Sequence, residues 1–362
     1  MLLTIAGFLF SSQLYVEELV IPDGFKIELF ASDVTDARQL ALGKEGTIFV
    51  GTRKEGKVYA LVDQDKDGKA DKQYLIARNL NMPSGIAFRD GSLYVAAVNK
   101  ILRYDNIENR LAKPPEAIVI VDNLPDDSHH GWKAIKFNAD GNLFVPVGVP
   151  CNICISDDKR HGTILELNTI TGKTTTYATG IRNSVGLAIH PDDGTLWFTD
   201  NGRDWLGDDS PPDEINHAPT SGLNFGFPYL HGSKTLDPDY GEQAELDDYT
   251  MPMVELGAHV APLGMAFYTG KKFPDKFHSS LIVAEHGSWN RSDKTGYRVI
   301  LVQLNGNNVI NVEPFITGWL NKEEDEAWGR PVDVLTLPDG SLLISDDYAD
   351  AIYRVTYQDK NK

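Results

Sequence analysis

Short stretches in which apolar and polar residues alternate run along most of this chain, and they predict β-strands. No long stretch has the apolar spacing that an amphipathic helix shows. One strand pattern recurs six times, each time after a Gly or Ser turn: GTIFV at 46–50, GSLYV at 91–95, GNLFV at 141–145, GTLWF at 194–198, SSLIV at 279–283 and GSLLI at 340–344. In four of these repeats the turn contains Asp-Gly, which is typical of a tight hairpin.

Each repeat lies between two further strand patterns, and a fourth follows in five of the six units; we call the four strands a, b, c and d. The sixth unit runs out of chain after Tyr357, but FKIELFA at 25–31 provides the missing strand. We therefore expect an all-β fold, a six-bladed β-propeller of four-stranded antiparallel blades that the N-terminal strand closes. Residues 22–362 would form this single domain, and residues 1–21 a signal-like or disordered segment.

The spacing between repeats is uneven at one point. Successive repeats begin about 45 to 60 residues apart, except that the fourth and fifth are 85 apart. The excess falls in residues 202–250, which are rich in Asp, Pro and Gly, so we expect a long ordered insertion or flap there.

Because strands in a blade alternate in direction, the connecting loops sort onto two faces. The d→a and b→c loops share one face, where histidines, arginines and aromatic residues converge around one mouth of the central channel. These loops contain His129-His130, Arg182-Asn183, residues 285–291 and Trp328-Gly329-Arg330. Cationic side chains gathered on one face of an acidic protein predict a polyanionic ligand. The alternative is that the loops are simply polar.

The opposite face carries an acidic loop between strands c and d of the first unit. Alternate positions there are Asp63, Asp65, Asp67 and Asp71. With Gly68 at the sixth position, this is the calcium-loop pattern, although Tyr74 stands where a full EF-hand has Glu. We expect a structural Ca²⁺ here and no catalytic role, since the loop faces away from the mouth. The alternative is a solvated acidic turn.

Charge and hydropathy narrow the possible partners and compartment. The chain has 52 acidic and 34 basic residues, a net charge of −18, which argues against nucleic acid and anionic membranes as partners. No apolar run reaches the roughly 18 residues that a membrane span needs. The run Leu2–Phe10 resembles the hydrophobic part of a secretion signal but lacks a basic region before it. We expect a periplasmic or secreted protein with a trimmed or atypical signal peptide, and the alternative is a disordered or packed N-terminal tail.

Two cysteines, Cys151 and Cys154, are the whole complement. They exclude a four-cysteine zinc site, and Ile155 after them excludes the c-type haem signature. A small disulfide in an oxidising compartment is the preferred interpretation, and a free thiol pair in the cytosol is the alternative.

Several longer segments resemble one enzyme family. They are HHGWKAIKF, CNIC, GIRNSVGLAIH, TDNGRDWLGDDSPPDEIN, AEHGSWNRSDKTGYRV and GRPVDV, and the resemblance runs from about residue 22 to 357. Together they resemble the sorbosone dehydrogenase branch of the soluble sugar dehydrogenases that depend on pyrroloquinoline quinone (PQQ), which include aldose and glucose dehydrogenases. The resemblance implies a six-bladed propeller with PQQ over the channel mouth and a Ca²⁺ ion beneath its quinone oxygens.

The resemblance also implies roles for individual residues. A His on the loop that enters blade three would be the catalytic base; His129 and His130 both fit, and likeness to sorbosone dehydrogenases favours His130. Arg182 completes the catalytic set. Backbone carbonyls of Gly202 and Arg203 would bind the catalytic Ca²⁺. The cofactor-binding set is Lys133 (where the family usually has Arg), Arg182, Asn183, Asp213, His286, Trp289, Asn290, Arg291 and Arg330.

The expected activity is the oxidation of an aldose or sugar aldehyde, sorbosone- or glucose-like. Arginine and lysine would bind the three PQQ carboxylates, Ca²⁺ would act as a Lewis acid, and a neutral His would accept the proton while hydride passes to the quinone. A soluble quinone or cytochrome would take the electrons, since no haem signature is present. The alternatives are a calcium-dependent lactone hydrolase and a non-catalytic ligand-binding propeller. The cationic residues and the His pair at the mouth favour the dehydrogenase.

Overall fold

Six sheets, each with an antiparallel four-stranded core, follow one another around a ring in the computed structural model, which describes residues 16–358. Twenty-nine strands, β1 to β29 in chain order, make up nearly all of the regular structure of those residues. The innermost strands of neighbouring blades contact one another all the way round, so the ring is closed around a central channel. The expected all-β six-bladed propeller is confirmed.

Blades one to three occupy the first half of the chain, after β1 (Phe25–Ala31). From the innermost strand outwards, blade one is β2 (Ala37–Leu42), β3 (Ile48–Thr52), β4 (Val58–Val62) and β5 (Lys72–Ala77). Blade two is β6 (Gly85–Arg89), β7 (Ser92–Ala96), β8 (Ile101–Tyr104) and β9 (Ile118–Val121). Blade three is β10 (Lys136–Phe137), β11 (Leu143–Val147), β12 (Thr163–Leu167) and β13 (Thr174–Thr179).

Blades four to six complete the ring. Blade four is β14 (Leu187–Ile189), β15 (Leu196–Asp200), β16 (Pro212–Ala218) and β20 (Val254–Ala258). Blade five is β21 (Pro262–Phe267), β22 (Leu281–Glu285), β23 (Arg298–Asn305) and β24 (Asn308–Ile316). Blade six is β27 (Pro331–Thr336), β28 (Leu342–Asp346), β29 (Ala351–Tyr357) and, on the outside, β1.

The N-terminal strand closes the ring as expected. Strand β1 pairs antiparallel with β29, from Phe25 opposite Tyr357 to Ala31 opposite Ile352. The ring of Phe25 packs against Phe273, Phe315 and Tyr357 at centroid distances of 4.8, 5.0 and 4.8 Å. Since aromatic pairs of this kind each add about 0.5 to 1.5 kcal/mol beyond their buried area, they hold the closing strand in place.

The repeated Gly or Ser marks the turn of each blade rather than its strand. All six residues have a left-handed backbone, with φ between 57° at Ser279 and 92° at Gly46. Glycine adopts this conformation without the clash that a β-carbon brings. Each b strand therefore begins one or two residues after the start of the predicted repeat. The inner strand of blade three, expected over residues 132–137, is regular only at Lys136–Phe137.

The insertion lies between β16 and β20, at residues 219–253, whereas residues 201–211 form the b→c loop of blade four. It contains β17 (Leu223–Asn224), which adds to blade three in parallel with β13, and a hairpin of β18 (Leu230–His231) and β19 (Thr235–Leu236). The Gly232 N–H donates to Glu214 Oε1 at 2.6 Å, and Arg203 Nη1 pairs with Asp237 at 2.5 Å. The insertion thus leaves from the far face and folds back to the mouth.

The chain before β1 packs against the ring. Val20 forms an antiparallel bridge with Thr317, and Leu19 is buried beside Trp319. Packed chain therefore begins before residue 22, where we expected the domain to start. The predicted secretion-signal residues Leu2–Phe10 lie outside the described residues. Within residues 16–358, no helix has the length and apolar character to cross a membrane.

Candidate active site

A cavity of about 300 Å³ opens at the centre of the ring on the face of the d→a and b→c loops. Nine of the predicted site residues line it: His130, Arg182, Asn183, Gly202, Asp213, His286, Trp289, Asn290 and Arg330. They come from loops that are far apart in sequence, so the expected convergence at one mouth is what the fold produces. Further lining residues that were not assigned a role include Arg38, Arg53, Trp132, Asn201, Asp204 and His259.

Of the pair His129 and His130, only His130 lines the cavity. Its side chain is buried, with 7 % exposure, and its Nδ1 lies 2.9 Å from the Val149 carbonyl oxygen. Because a carbonyl only accepts, Nδ1 carries the hydrogen and the neutral ring has an unprotonated Nε2. Burial, and then the charge of Arg182, lower the pKa of His130 to about 2, so the ring is neutral. His130 therefore has the protonation state of a general base.

His129 is exposed and does not line the cavity, although its ring lies 4.0 Å from that of His130. The chain turns sharply at His130, ahead of strand β10, since His130 has a left-handed backbone with φ 51°. A β-carbon on Gly148 would come within 2.6 Å of the His130 β-carbon, so only glycine fits opposite the base. This packing favours His130 over its neighbour.

Arg182 is held almost completely by the protein. Its Nε donates to the Asn152 carbonyl oxygen at 2.8 Å, and Nη1 to that of Asn201 at 3.0 Å. Its Nη2 donates to Asn152 Oδ1 at 2.8 Å and to Asp204 Oδ2 at 3.1 Å. A guanidinium has five N–H groups, so a single N–H, on Nη1, is left for a ligand. The buried guanidinium is thus fixed in orientation before any ligand binds.

Buried carboxylates brace the loops on this side. Asp200 accepts the backbone N–H groups of Arg182 and Asn183 at 2.8 and 2.6 Å. Asp213 accepts those of Gly202 and Ala261, both at 2.8 Å, and joins two loops of neighbouring blades. Burial raises the pKa of Asp213 to about 7. Both oxygens of Asp213 are used by the backbone, so its visible function is to position the Gly202 loop.

The other side of the cavity has a second cationic group. Arg38 and His286 share one carboxylate, because Arg38 Nη1 and His286 Nε2 lie 2.6 and 2.7 Å from the two oxygens of Asp347. Arg330 donates to the carbonyl oxygens of His286 and Gly287 at 3.1 and 2.8 Å. Burial lowers the pKa of His286 to about 4, while the pKa of Asp347 is held well below its usual range. Arg38 lies at the start of inner strand β2, where a loop-based prediction does not look.

Three buried polar atoms that belong to cavity residues have no hydrogen-bond partner among residues 16–358: Arg53 Nε, Trp132 Nε1 and Asn290 Oδ1. The Arg53 guanidinium also stacks on the Trp132 ring at 3.7 Å. A buried polar group without a partner destabilises a protein by about 1 to 3 kcal/mol, so such groups are rare. Most of them are hydrogen-bonded by a water molecule, an ion or a ligand. Two donors and one acceptor here suit a polar ligand with several acceptor oxygens.

Three predicted site residues turn away from the cavity. Lys133, predicted to bind the cofactor, is buried and does not line the cavity, and its Nζ donates to the Gly131 carbonyl oxygen at 3.1 Å. Arg291 pairs with the Asp208 carbonyl oxygen on the rim. The Arg203 side chain extends to Asp237 in the insertion, which leaves its backbone carbonyl, the predicted ligand atom, as its only possible contribution.

Two tryptophans stand exposed at the rim. Trp205 and Trp289 are 68 % and 64 % exposed, and their rings meet edge to face at 5.3 Å. Trp289 lines the cavity, whereas Trp205 lies beyond its lining. An exposed indole pair at the opening offers a flat apolar surface to a ligand that enters there.

The acidic loop of blade one gathers three of its four predicted ligands. Carboxylate oxygens of Asp63, Asp65 and Asp71 lie within 4.8 Å of one another. Asp67 is outside this group, and its Oδ1 accepts the Lys69 N–H at 2.8 Å. The disulfide expected between Cys151 and Cys154 is present and confirms that preference over free thiols.

Comparisons with known proteins agree with this picture. A family model described as "Domain of unknown function (DUF7133)" matches residues 11–359. An uncharacterized protein of Borreliella burgdorferi is 36 % identical over 354 residues, 94 % of this chain and 91 % of that protein. A pyrroloquinoline quinone-dependent sugar dehydrogenase of Hypocrea jecorina is 24 % identical over 319 residues, 72 % of this chain and 73 % of that one. A Trichoderma reesei carbohydrate-active enzyme of family AA12 has the same fold, with a TM-score of 0.80, 20 % identity, and coverage of 94 % of this chain and 98 % of that one.

Proposed function

The chain belongs to the DUF7133 family, and we propose that it is a PQQ-dependent sugar dehydrogenase that oxidises an aldose or sugar aldehyde. One observation carries this proposal: a neutral histidine with an unprotonated Nε2 shares a cavity with four arginines. The histidine is suited to remove a hydroxyl proton, and the arginines to bind a polyanion. Neither alternative function requires both.

The residues of the cavity fit PQQ. Its three carboxylates match the remaining N–H of Arg182 and the guanidinium groups of Arg38, Arg53 and Arg330. The unpartnered Arg53 and Trp132 N–H groups would find acceptors in such a ligand. A bound PQQ would supply the hydride acceptor, and the carbonyl oxygens of Gly202 and Arg203 would hold a Ca²⁺ ion that would supply Lewis-acid chemistry.

His130 would take the proton of the sugar hydroxyl on Nε2, while Val149 holds the Nδ1–H and so fixes the tautomer. Arg182 lowers the pKa of His130, and an anionic ligand beside Arg182 would offset that charge. Ligand binding would therefore reduce the part of the pKa lowering that comes from Arg182, while the larger part, from burial, would remain. Lys133 and His129 have no part in this step.

The substrate would lie at the rim, where the Trp205–Trp289 pair suits the apolar face of a pyranose ring. We infer a sorbosone- or glucose-like sugar and a soluble quinone or cytochrome as electron acceptor. A Cys151–Cys154 disulfide suits a periplasmic or secreted enzyme. Asp63, Asp65 and Asp71 would hold a structural Ca²⁺.

The lactone hydrolase is less well supported. Such an enzyme would need a cluster of carboxylates at the centre of the ring to bind its metal ion. Within the described part of the chain, the group of three acidic or His/Cys ligands that could share an ion is Asp63, Asp65 and Asp71, on the other face. In the cavity, Asp213 spends both oxygens on backbone N–H groups.

Reconstitution tests the proposal. Protein incubated with PQQ and CaCl₂ should reduce an artificial dye when an aldose is added, and the cofactor spectrum should change to that of the reduced form. Samples without sugar and samples without PQQ are the controls. Bound PQQ with no dye reduction across a panel of aldoses would favour the non-catalytic propeller, and no PQQ binding would overturn the proposal.

A further inference from the structure

We propose that Asn152, held inside the Cys151–Cys154 disulfide, is the positioning residue that presents Arg182 to the cofactor, so that reducing this disulfide weakens PQQ binding. The inference rests on the proposed function and adds a residue and a redox control that the sequence resemblance does not assign. It starts from the loop of residues 148–162, which connects β11 to β12 at the mouth.

Asn152 uses both its backbone and its side chain to hold the Arg182 guanidinium. Its carbonyl oxygen accepts Arg182 Nε–H, and its Oδ1 accepts Nη2–H, both at 2.8 Å. These are two of the four hydrogen bonds that orient the guanidinium. The four bonded N–H groups fix the orientation of the guanidinium, and with it the direction of the single N–H left for a ligand. Because two of those four bonds go to Asn152, this direction depends on Asn152.

The same amide also fixes the facing loop. Asn152 Oδ1 accepts the Asp204 N–H at 2.8 Å, and its Nδ2 donates to the Asp204 carbonyl oxygen at 3.1 Å. Asp204 in turn pairs with Arg182 Nη2 at 3.1 Å and accepts from Asn290 Nδ2 at 3.0 Å. The Asn152 side chain therefore joins Arg182 to the Gly202 loop, and Asp204 extends this connection to the loop of Trp289.

This loop also reaches the base. Val149, three residues before Asn152, accepts the His130 Nδ1–H, and its own N–H donates to the Arg182 carbonyl oxygen at 3.0 Å. His129 contacts the backbone of Cys151. One short segment thus sets the tautomer of the base and the direction of the cofactor arginine. A change in this segment should alter cofactor binding before it alters the blades.

The disulfide constrains that segment. Residues 150–158 contain no regular strand, so Asn152 is not held by a sheet. The bond joins residues three apart, with Cα atoms separated by 6.2 Å, and closes a small ring around Asn152. Opening the ring lets the backbone of Asn152 sample other conformations, and the bound arrangement then has to be selected from them when the cofactor binds.

A reductant can reach the bond. Both cysteines are partly exposed, and Cys154 lines an open groove of about 230 Å³ beside the exposed Ile155. A dithiol would attack one sulfur as its thiolate and then close on itself. One cyclic disulfide of the dithiol and two cysteine thiols result, so electrons and protons balance.

The test is a PQQ titration of the calcium-loaded apo-protein, followed by tryptophan fluorescence, with and without dithiothreitol. Asn152→Ala should raise the Kd for PQQ about 10- to 100-fold, since it removes one charge-assisted bond and the bridge to Asp204. Dithiothreitol on the wild type, or Cys151→Ser with Cys154→Ser, should raise it several-fold. At saturating PQQ, the KM for the sugar should stay close to that of the wild type.

The decisive measurement combines dithiothreitol with the Asn152→Ala variant. If the disulfide acts through Asn152, dithiothreitol should have little further effect on the Asn152→Ala variant. Asn168→Ala is the matched control: Asn168 anchors a turn of the same blade through Ile170 and Thr171, away from the cavity, and its loss should leave PQQ affinity unchanged. Circular dichroism melting checks that each variant is folded.

Three outcomes would overturn the inference alone: no effect of dithiothreitol on the PQQ affinity of the wild type, equal PQQ affinity of the wild type and Asn152→Ala, or an undiminished effect of dithiothreitol on that variant. If the wild type itself binds no PQQ under any condition, the proposed function fails, and this inference fails with it. The two failures are therefore distinguishable in one experiment.

Discussion

The two ends of the central channel are formed by the same ring of inner strands, but their chemistry differs. We call the end at the mouth, where the d→a and b→c loops lie, the upper end, and the opposite end the lower end. At the upper end, mostly loop residues surround a cavity whose lining includes four arginines and two acidic residues, Asp204 and Asp213. At the lower end, a cavity of about 200 Å³ is lined mainly by the strands themselves, and its charged groups are one cation and one anion, Lys136 and Asp333. An anion therefore gains from the upper end, whereas charges at the lower end offset each other.

The chemical difference between the two ends follows from where the sequence is free to vary. Side chains of an inner strand point alternately towards the channel and into the blade, and they must also pack against the next blade. Loops have no such constraint, which is why they can bring His130, Arg182 and Arg330 together from three blades. The propeller provides an opening at both ends, and the loops determine which of them becomes a site.

The largest expected effect is at the upper end. His130→Ala should lower kcat at least about 100-fold while PQQ still binds, because general base catalysis is typically worth 10² to 10⁴. His129→Ala, measured under the same conditions, should lose far less, since that side chain lies outside the cavity. Comparable turnover of the His130 variant and the wild type would remove His130 as the base.

A smaller effect is expected for a cation of the same cavity compared with the cation of the lower one. Arg53→Leu should weaken PQQ binding about 10- to 100-fold, because a hydrogen bond to a charged group contributes about 1.5 to 3 kcal/mol. Lys136→Met should change PQQ affinity by less than about twofold. Fluorescence titration measures both, and a similar loss in the two variants would show that the ends of the channel do not differ as described.

The lower end should instead affect stability as a function of pH. Burial raises the pKa of Asp333 to about 6, although Lys136 and Arg38 face it and the Leu40 N–H donates to it at 2.7 Å. Its contribution to stability is complete below the unfolded pKa near 4 and is lost as pH rises through about 6. Between pH 5 and 7 the free energy of unfolding of the wild type should fall by about 1 kcal/mol relative to Asp333→Asn. Urea unfolding at both pH values gives this difference, and parallel curves for the two proteins would contradict it.

The smallest effect is expected on the same face as the lower cavity. Ca²⁺ at millimolar concentration should stabilise the wild type by up to about 1 kcal/mol through Asp63, Asp65 and Asp71, as for a weak extracellular site. Asp71→Asn should lose this Ca²⁺-dependent rise in melting temperature without loss of turnover. Asp67→Asn is the matched control and should keep it. An equal calcium response in all three proteins would assign the effect elsewhere.

The blades could be predicted because each of them repeats the same local sequence pattern. A glycine or serine that must adopt a left-handed turn, followed by alternating apolar residues, defines a hairpin without reference to distant residues. The loops of the mouth followed from the direction of the strands. His130, Arg182 and Arg330 could thus be assigned to one site before any coordinates were known.

What the sequence could not provide was the direction of individual side chains. Arg38 belongs to an ordinary strand pattern, and only the closed ring shows that its side chain reaches the cavity. Lys133 follows His130 by three residues in a motif that suggests a basic contact, yet its side chain is buried outside the cavity lining and its Nζ donates to the Gly131 carbonyl oxygen. The insertion could be located in the sequence, but its return to the mouth depends on Arg203 and Asp237.

Closure by β1 links residues more than three hundred positions apart, from Phe25 to Tyr357. A growing chain therefore makes β1 before the six blades, and its partner β29 follows only after some three hundred further residues. Throughout that interval one strand edge and the aromatic ring of Phe25 have no cover, and such edges are where chains associate wrongly. The ring can therefore close only after β29, the last strand of the sixth blade, has been made.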